Sequence, residues 1–280
     1  MTRERVQPPA LRAPEDNQSV YGTPDVVSCY TADGWSDPGE AASYAALADL
    51  CRGEPLLDIG VGGGRTTRLL RLVSADYTGV DYAPDMVELA RSRHPGANLL
   101  VEDARTLALF PAARFAAVTF SYNGIDSVGH EDRARVFASV RRVLRPGGCF
   151  AYSTLNRHGG LYGARPWRDL TPGPWPATGP ARARFLFEVA VRLLAGLSVA
   201  GDWRRARTSQ QDHGDWALSL LRTHRFRLLN HFVTLDAARR EAAQAGFEVL
   251  GVWSPSAERL DDAADSRDDW FHLLLRARAN

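Results

Sequence analysis

The chain has 280 residues, with 34 basic and 33 acidic side chains and a formal net charge of +1. Hydrophobic residues at 45% and aromatics at 9% describe a folded globular protein with a sizeable core, which excludes a disordered chain. Every basic residue is arginine, and the even charge balance argues against broad, salt-driven binding to nucleic acid, which needs a basic excess.

In chain order, residues 1–17 are polar and contain proline, so a flexible tail without a signal-peptide core is expected. Residues 18–51 carry Tyr21, Tyr30, Trp35 and Tyr44 among turn residues, and 40–51 have helical spacing; this segment is expected to be an N-terminal helical cover. From there, short apolar runs alternate with helix-like segments, the pattern of a parallel α/β sheet. The predicted strands are 55–59, 77–80, 98–101, 116–120 and 149–153. Helices are predicted over 65–72, over 84–93 with Pro84 in the first turn, and over 132–144. Arg145-Pro146-Gly147-Gly148 is predicted to be the turn that stops the last of these helices.

Residues 157–231 break the rhythm, with Pro, Gly, Trp and Arg dominating up to 180 and a helix predicted over 181–194. A helix at 235–245, a strand at 247–253, an acidic loop at 258–269 and a strand at 271–277 restore it. The expected organisation is a core of 52–156 plus 232–280, with 157–231 inserted after the fifth strand as a substrate cap. Open α/β sheets bind ligands at that rim. Cys29, Cys51 and Cys149 form no close pair, which excludes a disulfide scaffold and a cysteine zinc site and fits a reducing cytoplasm. The apolar stretch 185–201 is interrupted by Glu188 and Arg192, so no membrane span is expected.

The strongest local signal is Leu56-Leu57-Asp58-Ile59-Gly60-Val61-Gly62-Gly63-Gly64-Arg65, a strand running into a glycine turn. The dinucleotide fingerprint fails in both registers, with Arg65 or Thr67 where its third glycine belongs, and no P-loop lysine follows. The acid before the first glycine suits a ligand that carries positive charge. Asp81 ends the next strand, where a carboxylate can accept from two ribose hydroxyls, and Asp103 ends the third.

With Gly79-Val80-Asp81-Tyr82-Ala83-Pro84-Asp85-Met86-Val87, Glu102-Asp103-Ala104, Arg142–Gly148 and Ala245-Gly246-Phe247-Glu248, this set resembles the class I S-adenosylmethionine-dependent methyltransferases. The resemblance implies a doubly wound, mostly parallel seven-stranded Rossmann-like sheet. It implies that Asp58, Gly60, Gly62 and Gly64 hold the amino-acid end of the cofactor. It further implies that Asp81 takes the ribose, that Tyr82 and Met86 flank adenine, and that Asp103 meets its amine beside Ala104. Ser121 and Tyr122, ending the fourth strand, would lie nearest the sulfonium. Tyr21 and Tyr30 would belong to a cover over the cofactor, or else be packed tyrosines.

Methyl transfer from a sulfonium is an in-line displacement in which the protein aligns and excludes water, so no conspicuous catalytic motif is expected. Candidates are His158 as a general base, and Asn123, Asp126 and His130 facing a substrate; the bland readings are loop, turn and capping residues. His213, His224 and His231 lie in the insertion, where at least one is expected to line the pocket. Trp167, Trp175, Trp203 and Trp216 either cement the cap or line an apolar pocket. No metal is expected. The expected function is methylation of N or O on a small molecule, with S-adenosylhomocysteine as product, by a cytoplasmic monomer or homodimer. The alternatives are a peptide-amine methyltransferase and a cofactor-binding protein without transfer. An enzyme of tRNA or rRNA is disfavoured by the charge balance.

Overall fold

The structure, a computed structural model, describes residues 17–21, 23, 26, 30, 34–166 and 178–279. The expected tail up to residue 16, Cys29, Trp167, Trp175 and the His224 side chain lie outside the described set.

The elements in chain order are α1 (Asn17–Tyr21), α2 (Pro38–Cys51), β1 (Leu56–Ile59), α3 (Thr67–Val73), β2 (Tyr77–Asp81), α4 (Pro84–Arg93), β3 (Asn98–Val101) and β4 (Phe115–Phe120). They continue with α5 (His130–Val143), β5 (Leu144–Leu155), α6 (Gly179–Ala206), β6 (Gln211–Asp212), β7 (Trp216–Leu220), β8 (Leu229–Val233), α7 (Leu235–Gln244), β9 (Phe247–Trp253) and β10 (Trp270–Ala277). Seven strands form one sheet in the order β3-β2-β1-β4-β5-β10-β9, as the resemblance implies. Its one antiparallel strand is β10, paired on both sides.

Every residue of β1, β2 and β4 is buried, because helices cover both faces of the sheet. Alternate side chains separate into two cores. Leu57, Val80, Val118 and Phe150 pack beneath α5 and α7. Leu56, Tyr77, Leu99 and Ala117 pack on the opposite face, beneath α2 and α4. The order reverses between β1 and β4, so the crevice at their carboxyl ends is open to a ligand.

Two predicted boundaries are corrected. Arg145–Gly148 is not a separate turn but a bulge inside β5: Phe115 pairs with Leu144 and Ala117 with Cys149, so the four residues arch outward. Pro146 lacks an N–H for the ladder and Gly147 has φ +74, which makes the detour permissible. The inserted helix extends to Ala206 rather than stopping at 194. Gly196 is no stop; it lets the Pro166 carbonyl approach, since a Cβ there would sit 2.9 Å from that oxygen. The C-terminal half of α6 buries Ala200, Trp203 and Ala206 against Leu218, Leu220 and Leu229 of the three-stranded sheet β6-β7-β8 and against Phe226 in the turn between β7 and β8.

Three buried polar residues tie these parts together. Asp126, in a 3-10 turn at Gly124–Ser127, accepts from Arg133 (2.7 Å), Thr154 Oγ1 (2.6 Å) and the Leu155 N–H (2.6 Å). Arg133, fully buried on α5, also donates to Glu241 on α7. Asp126 is therefore a structural residue and does not face a substrate. Asn17, fully buried, donates to the Ser127 and Leu229 carbonyls and accepts from the Leu229 N–H, pinning the N-terminal segment to β8.

Burial pushes the Asp126 carboxyl up to about 7 even beside Arg133, so replacing Arg133 by Met strands its charge in the core only above that pH, and is expected to cost about 3–5 kcal/mol in urea unfolding well above pH 7. Because protonation then removes that charge, the deficit is expected to shrink as the pH falls; a deficit that grows in acid would contradict the pairing. Asn17→Ala is expected to cost about 1–3 kcal/mol and to speed amide exchange at Leu229, whose N–H loses its acceptor.

Candidate active site

At the carboxyl ends of β1, β2 and β4 lies a cavity of about 780 Å³, within the roughly 300–1,000 Å³ of small-molecule sites. Gly60, which follows β1, forms part of its wall. It has φ +67, and a Cβ there would lie 2.6 Å from the Phe120 ring, so only glycine permits this turn against β4. Gly62 also lines the cavity, and its N–H donates to Asp81 Oδ2 at 2.9 Å.

Asp81 is the hinge of the site. Its second oxygen accepts from the Ala83 N–H at 2.9 Å, so the carboxylate holds the glycine loop to the turn that opens α4. Burial raises its pKa to about 6 against the lowering effect of these N–H groups. On one side of Asp81 the wall is formed by Tyr82, Met86, Asp103 and Ala104, with Val128 and Gly129. Arg105 grips both Asp103 oxygens and reaches Asp132 at 2.9 Å. On the other side stand Gly60, Gly62, Gly63 and Arg65, then Trp35, Ser121 and Tyr122.

Tyr21 and Tyr30 close the cavity from the N-terminal segment. Tyr21 hydrogen-bonds to Ser127 Oγ at 3.0 Å, and its ring meets those of Tyr30 and Tyr82 edge-on at 6.0 and 6.2 Å. Burial raises both the Tyr21 and Tyr30 phenols, which therefore remain protonated. Val20, Val26, Met86 and Leu228 form the apolar cluster beneath them.

Five expected site residues do not reach this wall. Asp58 is fully buried below it and accepts from Thr119 (2.8 Å), Tyr77 (2.9 Å) and Thr66 (3.2 Å), so three hydroxyls occupy the carboxylate expected to face the ligand. Burial raises its pKa to about 6. Gly64 faces α4 instead, where a Cβ would stand 2.5 Å from the His94 ring. His158 pairs with Asp265 at 2.7 Å, away from the cavity. Asn123 adopts φ +59 and gives its N–H to Ser153 Oγ at 2.7 Å. His130 lies stacked on Trp216 at 3.7 Å, with Nδ1 3.0 Å from His231 Nε2.

No described residue of the 157–231 insertion lines the cavity. Trp203 packs inside the cap, and Trp216 is sandwiched between His130 and His213. The described tryptophans of the insertion thus serve packing and do not line the cavity. Trp35, Arg65, Arg105 and Asp132 line the wall without having been expected there; Arg65 meets Glu40 and Trp35, and Asp132 meets Arg105, across 25 or more residues of sequence. Among the described residues, no group of three or more His, Cys, Asp or Glu side chains is arranged to hold a metal ion, and no helix is long and apolar enough to cross a membrane.

Residues 56–148 match the family model described as a methyltransferase domain. Among curated relatives, malonyl-acyl-carrier-protein O-methyltransferase of Serratia marcescens is 33% identical over 129 residues, covering 41% of this chain and 49% of that protein. The chain therefore spans about half the length of that relative. Two solved structures share the fold. The CcbJ methyltransferase from Streptomyces caelestis has a TM-score of 0.56 at 19% identity, covering 94% of this chain and 99% of that one. The glycopeptide N-methyltransferase MtfA, complexed with S-adenosylmethionine, has a TM-score of 0.52 at 16% identity, covering 89% and 98%. Residues 56–148 thus match the methyltransferase-domain model, and the seven-stranded sheet built around them has the fold that these methyltransferase structures share.

Proposed function

We propose that the chain transfers a methyl group from S-adenosylmethionine to nitrogen or oxygen of a small molecule, as part of specialised metabolism. The observation that carries this reading is the Asp81 carboxylate, presented between a wall of Met86, Tyr82 and Ala104 and the glycine loop. The cavity suits the cofactor: Gly60 and Gly62 let backbone meet ligand, and Asp81 offers acceptors to a ribose diol. Asp103 remains an acceptor for an exocyclic amine, even while Arg105 grips it. When bound, the cofactor supplies an electrophilic methyl on a positively charged sulfur.

The remaining chemistry belongs to the chain. Near Ser121 and Tyr122 the described wall carries Tyr30, Trp35 and Gly124 and no imidazole or carboxylate, so this end aligns the reactants and excludes water. An acceptor without a nearby base must present an available electron pair, as a neutral amine or a group already ionised in solution does. Even charge balance and a cavity of small-molecule size support a small acceptor over a nucleic acid.

Incubation with methyl-labelled S-adenosylmethionine and a panel of amines, phenols and carboxylic acids is expected to release S-adenosylhomocysteine with at least one acceptor. A protein that binds no cofactor would overturn the reading. Cofactor affinity is expected to be flat above pH 6 and to fall about tenfold per unit below it, because ionised Asp81 accepts from hydroxyls and the protonated acid does so poorly. In Asp81→Asn the affinity is expected to be low at every pH. A slope that survives in that variant would assign the titration to Asp58.

A further inference from the structure

Arg65 follows the last glycine of the loop, and its guanidinium lines the half of the cavity beyond Asp81. Among the described wall residues the other cation is Arg105, which Asp103 and Asp132 engage at the opposite end. Arg65 is rigidly placed. Its Nη1 donates to Glu40 Oε2 (2.6 Å) and to the Trp35 carbonyl (2.7 Å), and Nη2 donates to Glu40 Oε1 (2.7 Å). The Trp35 and Tyr122 rings lie 4.8 and 5.0 Å from its Cζ. Glu40 comes from α2, outside residues 56–148, and is 2% exposed.

A guanidinium has five N–H donors in a plane, so Nε–H and one Nη2 hydrogen remain for a ligand. These bonds leave Arg65 fixed but not exhausted. Adenosine seated on Asp81, Met86 and Asp103 leaves the Arg65 half for the amino-acid end of the cofactor. That end carries a carboxylate, and a charge that gives up water on entering the cavity needs an opposite charge with matched hydrogen bonds.

We propose that Arg65 binds the cofactor's α-carboxylate through these free donors, with Glu40 and the two aromatic rings fixing the guanidinium. The assignment rests on the cofactor reading above. Asp58 does not serve this end of the cofactor, because Thr119, Tyr77 and Thr66 already donate to its oxygens. Arg65 thus separates ligands by their carboxylate and not by their adenosine.

The test is calorimetric titration of the full chain and its Arg65→Gln variant with three ligands. S-adenosylhomocysteine has the carboxylate. Decarboxylated S-adenosylmethionine lacks it but keeps the amine, and 5′-methylthioadenosine lacks both. Arg65→Gln is expected to weaken S-adenosylhomocysteine by roughly 10- to 100-fold, the effect of one charge-assisted interaction, and to leave the other two within about threefold. Equal losses for all three ligands would make Arg65 a prop of the loop and overturn the proposal, as would an unchanged S-adenosylhomocysteine affinity. Arg65→Lys keeps the charge without the fork and is expected to recover part of the affinity. If Arg65→Gln does not fold, the Lys variant carries the test, because its deficit must be larger for S-adenosylhomocysteine than for 5′-methylthioadenosine. A wild-type protein that binds none of the three would refute the cofactor reading itself.

Discussion

The site depends on one carboxylate held by two backbone N–H groups. Asp81 ends β2, accepts from Gly62 and Ala83, and so joins the glycine loop after β1 to the start of α4. The parallel sheet makes this possible, since β1 and β2 leave the sheet side by side at the same edge. Burial makes the ionised form costly, and the two N–H donors partly offset that cost. A carboxylate that is preformed, desolvated and fixed by backbone can bind a diol with little reorganisation.

Around this point the molecule divides its work between two ends of one cavity. At the Asp103 end, charges compensate one another through Arg105 and Asp132. At the other end Arg65 is balanced by Glu40 and bracketed by aromatic rings. Residues of the 157–231 segment contact the N-terminal segment that borders the cavity. Leu229 holds Asn17, Leu228 packs with Val26 and Met86, and Tyr21 and Tyr30 from the same N-terminal segment close over the wall.

The strands of the core were legible because each is a buried apolar run bounded by turn residues, and the sheet's covered faces require just such runs. The glycine loop and its acids were legible because their signal lies within a few residues. What could not be read was which side chains meet across long separations. His158 and His130 were reasonable choices by residue type, yet Asp265 and Trp216 engage them from 107 and 86 residues away. Asp58 looked available because the hydroxyls of Thr119 and Tyr77 arrive from neighbouring strands. Arg65 did leave a local trace: a cation just before the N-terminus of α3 opposes the helix dipole, which marks it as serving another partner.

The most direct measurement is a crystal structure of the protein grown with S-adenosylhomocysteine. The account predicts ribose hydroxyls on Asp81, adenine between Met86 and Asp103, and the carboxylate at Arg65, with Asp58 still bonded to Thr119 and Tyr77. A ligand seated elsewhere, or one whose carboxylate turns away from Arg65 while its ribose misses Asp81, would contradict it.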